Sequence, residues 1–114
     1  MSDLAARLRK QREFTVEVGK LKFTVRRPTD VEALEIFSKG AVRFDRLATE
    51  FVVDWGVVVE DDIAGGGSQI PVPFDRELWE EWCADRTDFW QPIGKKILST
   101  YQEHAEKMDA VGKN

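Results

Sequence analysis

FTVEVGKLKFTVR, residues 14–26, is the stretch on which the fold turns. Phe14, Val16 and Val18 alternate with Thr15 and Glu17; Leu21, Phe23 and Val25 then alternate with Lys22, Thr24 and Arg26. Two such period-2 runs joined by the two-residue, glycine-containing link Gly19-Lys20 predict a β-hairpin. In that register Val18 faces Leu21, Val16 faces Phe23 and Phe14 faces Val25. One face is wholly apolar and the other carries Glu17 and Lys22. A lone hairpin is marginal in water, so the apolar face has to pack on other elements.

Working outward, those elements read as helices. Pro28 ends the strand, and Thr29-Asp30-Val31-Glu32 is a capping-box pattern with Thr29 as N-cap. Val31, Leu34 and Phe37 recur at helical spacing up to Gly40. A second helix carries Phe44, Leu47, Ala48, Phe51, Val52 and Trp55 on one stripe, with Gly56 at its C′ position. Val57-Val58-Val59, the acidic triplet Glu60-Asp61-Asp62 and a Gly65-Gly66-Gly67-Ser68 tip follow. The prolines of Ile70-Pro71-Val72-Pro73-Phe74 restrict that stretch to an extended edge segment at most. Asp75 reads as the N-cap of a third helix with Leu78, Trp79 and Trp82. A fourth begins near Thr87-Asp88 and carries Phe89, Trp90, Ile93, Ile97, Leu98, Tyr101, Ala105 and Met108, with Pro92 tolerated in its first turns. The expectation is an α+β domain, mainly helical, with an N-terminal β-hairpin packed against about four helices. Residues 1–13 are expected as a flexible basic arm or short helix, 14–109 as a single globular domain and 110–114 as a flexible tail.

The chain has 114 residues, 42% hydrophobic and 33% charged, which suits one compact domain. No apolar run is long enough for a membrane-spanning helix, and no apolar segment near the N-terminus predicts a signal peptide. A single cysteine, Cys83, excludes an internal disulfide and suits a reducing cytoplasm. The 17 basic and 21 acidic side chains are unevenly spread. Residues 1–30 hold eight basic and four acidic groups; residues 31–114 hold nine and seventeen. Basic density peaks at Arg7, Arg9, Lys10 and Arg12. The acidic bulk opposes phosphate binding, so a solvated N-terminal arm is the better reading than a nucleic-acid surface.

Chemistry-bearing motifs are few. Glu60-Asp61-Asp62 lacks the alternating ligand spacing of a calcium loop and reads as a solvated acidic loop. Gly65-Gly66-Gly67 is followed by no Gly-Lys-Ser/Thr, so it supplies flexibility rather than a phosphate cradle. His104, beside Glu103 and Glu106, has no nucleophile paired with it by pattern, and Cys83 reads as a small apolar residue. No catalytic residue, metal site or cofactor is expected, and the chain reads as a non-enzyme. The tryptophans carry more information. Trp79, Trp82 and Trp90 fall within twelve residues. Core packing is the plain reading of such rings, but aromatic anchors also mark protein–protein contact surfaces, which makes these three the candidate partner-binding residues.

The order of elements is similar to that of a known family. Arg26-Arg27-Pro28-Thr29-Asp30 leads from the hairpin into helices. Phe51-Val52-Val53-Asp54-Trp55-Gly56-Val57 leads to an acidic, glycine-containing loop, and Pro71-Val72-Pro73-Phe74-Asp75-Arg76-Glu77-Leu78 opens the next helix. Over roughly residues 14–101 the chain resembles the tail assembly chaperones of long-tailed bacteriophages, of siphophage and prophage type. The resemblance implies a non-enzymatic protein that binds the tape measure protein and recruits major tail tube protein subunits in the host cytoplasm. It also implies absence from the mature virion. No membrane partner is expected, the acidic bulk disfavours nucleic acid, and self-association through apolar helix faces is a further expectation. Many members are also made as a longer product by ribosomal frameshifting, and the ending Val111-Gly112-Lys113-Asn114 is compatible with a slippery codon pair. The alternatives are a structural head–tail connector or minor tail protein, and a small nucleic-acid-binding regulator using residues 7–12.

Overall fold

The computed structural model describes residues 2–112; Met1, Lys113 and Asn114, the last two in the expected tail, lie outside the described residues. In chain order the elements are α1 (Ser2–Gln11), β1 (Glu13–Val18), β2 (Leu21–Arg26), α2 (Asp30–Phe37), α3 (Phe44–Phe51), β3 (Val52–Trp55), α4 (Glu60–Ile63), α5 (Arg76–Ala84) and α6 (Thr87–Gly112). The architecture is the expected α+β arrangement, with the N-terminal hairpin packed on helices. Residues 110–112 continue α6 rather than leaving it as a tail, and most of the basic N-terminal arm is the helix α1.

The hairpin forms in the register the alternation demands: Val18 pairs with Leu21, Val16 with Phe23 and Phe14 with Val25. Gly19 alone takes a positive φ in the turn, +60°, a geometry that a side chain would oppose. Glu17 and Lys22 meet across the solvent face at 3.7 Å.

A third strand departs from the expectation. The helix read through Trp55 stops at Phe51, and Val52–Trp55 pairs antiparallel with β2, giving the sheet order β1-β2-β3. The register shifts between Thr24 and Val25, which oppose Asp54 and Val52 and leave Val53 as the extra residue of a bulge. That extra residue sets the buried Val52 and Trp55 three apart. Three is also a helical spacing, so the stripe of α3 runs into the strand without a break in pattern. Arg76 closes the end of α3 by donating to the Thr49 carbonyl at 2.7 Å and to the Val52 carbonyl.

The core lies between the sheet and α3, α5 and α6. Phe23 is fully buried at its centre, with ring centroids of Trp79, Phe89 and Trp82 at 5.0, 5.4 and 6.2 Å. Helices α3 and α6 approach so closely that a Cβ on Gly94 would stand 2.7 Å from Phe44 Cβ and 2.8 Å from its Cα. Helix α5 starts as the sequence indicates, with the Asp75 side chain accepting from the Leu78 N–H at 2.9 Å. Helices α1, α2 and α4 add little to this core, and α4 buries no residue. Every residue of α1 from Asp3 to Gln11 is exposed, and α2 buries only Ala33.

Candidate partner-binding surface

Of the three tryptophans expected to bind a partner, Trp79 and Trp82 are buried in the core and Trp90 is half-buried against it. Trp79 is 0% exposed, stacks on Phe89 at 5.7 Å and donates its indole N–H to the Ala48 carbonyl at 3.1 Å, fastening α5 to α3. Trp82 is 6% exposed and edge-on to Trp55, Trp79 and Phe89. Its Nε1 has no hydrogen-bond acceptor among the described residues. Trp90 is half-buried and donates to the Cys83 carbonyl at 2.7 Å, fastening α6 to α5. Among the described residues these three rings therefore form no exposed aromatic patch: rings this large contribute most where they can be removed from water, and the apolar side of a small sheet gives Trp79 and Trp82 that place.

The other singled-out residues are placed as follows. Cys83 is buried, and burial pushes its thiol pKa up. Asp62 is not merely solvated: it accepts from the Val59 N–H at 3.0 Å and pairs with Lys20 at 2.9 Å, and these contacts hold its carboxyl below the usual range. The glycine tip is tied back as well, with the Gly66 N–H on Asp61 Oδ1 at 2.8 Å and the Ser68 N–H on Glu60 Oε1 at 3.3 Å. Among the described residues no cluster of His, Cys, Asp and Glu is arranged to hold a metal ion. Nor is any helix among them long and apolar enough to cross a membrane.

What the surface does offer is apolar helix face. Val31 and Leu34 on α2 are 78% and 76% exposed, and Met108 and Val111 stand exposed near the end of α6. The α2 pair is held outward by polar fastenings on the rest of the helix. The Thr29 hydroxyl accepts from the Glu32 N–H at 3.1 Å while Glu32 Oε1 accepts from the Thr29 N–H at 2.9 Å, the complete capping box. Arg26 grips the same carboxylate with both terminal nitrogens at 2.8 Å and lies over the Phe51 ring at 4.6 Å. The guanidinium, more than the opposing cost of burial, holds the Glu32 pKa down to about 2. On the next turn of contacts, Asp30 Oδ1 accepts from the Tyr101 hydroxyl at 3.0 Å and stands 3.2 Å from His104 Nε2, and the Phe37 ring lies 5.4 Å from Tyr101. The α6 face that carries Tyr101 and His104 continues past α2 as Met108 and Val111, at spacings of four and three residues.

The sequence spacing sets Val31, Leu34 and Phe37 on one helical stripe. The short α2 is seated by Ala33, by the half-buried Ile36 and Phe37 and by its Arg26–Glu32 pair, and Val31 and Leu34 face out.

A second surface lies at the other end of the hairpin. Ile63, Ala64, Gly67, Val72 and Leu78, with Glu60 at the edge, line a groove of about 320 Å³ between α4 and α5. Ile63 and Leu78 also border a depression that continues along α5 past Trp82 to Glu81, Asp85 and Arg86. Comparison with known protein families, curated proteins and solved structures finds no match for this chain.

Proposed function

We propose that this chain is a tail assembly chaperone of a long-tailed phage, a non-enzymatic domain that covers apolar helices of a tape measure protein while tail tube subunits gather round it. The observation that carries the reading is the outward apolar face of α2, Val31 and Leu34, fastened by a capping box and a two-pronged Arg26–Glu32 pair. A protein that served only its own fold would gain by turning those side chains inward. An apolar ridge on a rigid mount fits the recognition of a partner's amphipathic helices, with Met108 and Val111 on the projecting end of α6 extending it. The resemblance in element order over residues 14–101 supplies the identity of that partner.

Co-expression with the tape measure protein of the same phage tests the proposal. The wild-type chain should keep that protein soluble and co-purify with it. The double variant Val31→Asp/Leu34→Asp should fold normally and lose both effects. A tape measure protein equally soluble with and without the chain would overturn the reading, as would recovery of the chain in purified virions.

A further inference from the structure

We infer that α1 is a docking helix for a second copy of this chain, seated in the α4–α5 groove of that copy. Among the described residues, nothing covers the apolar side of helix α1, whose one ion pair is Lys10 with Glu13 at 3.6 Å. Leu4 and Leu8, one turn apart on a single face, are both exposed, and no residue from Asp3 to Gln11 is buried. Ten residues make a marginal helix in water unless an apolar face is covered. Around the leucines stand Arg7, Arg9 and Lys10, against the single acid Asp3.

The groove has the complementary character. Its floor is Ile63, Val72 and Leu78, and its edge carries Glu60, Glu81 and Asp85, with the one cation there, Arg86, already paired to Asp88 at 2.7 Å. Glu81 and Asp85 have no ion-pair partner among the described residues, and neither have Arg7 and Arg9. A basic amphipathic helix with leucines four apart therefore meets an apolar trough with an acidic rim.

A chain cannot fill its own groove. The Arg12 N–H donates to the Arg9 carbonyl at 3.2 Å and the Arg12 carbonyl accepts from Arg27 at 3.0 Å, so α1 is anchored where β1 begins. Lys20 pins Asp62, and with it α4, to the turn at the opposite end of the hairpin, at 2.9 Å. Six residues of strand, roughly 20 Å, separate the two. Opposite ends suit an antiparallel two-fold pair, in which each copy's α1 lies on the other's groove and both contacts form at once. The inference does not depend on the phage reading, and it uses a surface apart from the α2 face.

The full-length chain should sediment as a dimer at tens of micromolar, dissociating as salt is raised. Arg7→Glu/Arg9→Glu and Glu81→Lys/Asp85→Lys should each weaken dimerisation at least tenfold while leaving the melting curve of the monomer unchanged. Mixed together, the two variants should form a heterodimer, because every α1–groove contact in it again pairs opposite charges. A chain that stays monomeric at that concentration overturns the inference. So does a dimer that neither reversal weakens, a mixture that fails to associate, or an α1 that binds duplex DNA instead of the groove.

Discussion

Glu32 is the residue where the account is most exposed to titration. Its folded-state pKa of about 2 lies below its ordinary value of 4.5, so the Arg26 pair and the cap stabilise the fold fully above that ordinary value. The contribution is lost as pH falls through the folded value, since the protonated acid no longer holds the guanidinium. Discounted for solvent screening of a carboxylate that is about a third exposed, Glu32→Gln should cost about 1 kcal/mol near neutral pH and remove this part of the acid dependence, as read from urea midpoints between pH 2 and 7. Gly94 is constrained for a different reason. The methyl of Gly94→Ala would meet Phe44 backbone at 2.8 Å, so the substitution should destabilise by roughly 2–3 kcal/mol or drive α3 off α6, again visible in the urea midpoint.

Among the elements, α5 and α2 make opposite predictions. Trp79→Ala should cost about 3–5 kcal/mol, because it empties the centre of the core and orphans the Ala48 carbonyl. Val31→Ser/Leu34→Ser should change stability by no more than about 0.5 kcal/mol, because those side chains are already in water. Thermal melts of the two variants side by side decide the point. The contrast also marks where sequence reasoning succeeds and where it stops. The hairpin register, the caps at Thr29 and Asp75 and the long α6 were legible because alternation, capping chemistry and helical spacing are local signals. β3 was not, because its bulge imitates a helical spacing and strand pairing is decided by a partner thirty residues away. Which apolar side chains stay exposed was hidden by the same limit. Periodicity locates the apolar stripe of α2 and the rings of α5, but which stripe the core accepts depends on the room beneath the sheet, and that room went to Trp79, Trp82 and Phe89.

At the scale of the molecule, the domain measures 57 × 37 × 22 Å, an elongated form whose core is the sheet with α3, α5 and α6. Helix α1 and the last turns of α6, from Ala105 on, add exposed apolar and charged surface without adding to that core. At concentrations below the dimerisation range, removal of residues 2–11 should therefore leave the denaturation midpoint of the remaining domain nearly unchanged. We propose that the α2 face, continued by the end of α6, receives a partner's helices. Hydrogen exchange of the chain, alone and bound to a helical segment of the tape measure protein, tests it most directly. New protection should appear over residues 30–37 and 101–112 and none over β1. Protection confined to other elements, or none at saturating segment, would contradict it.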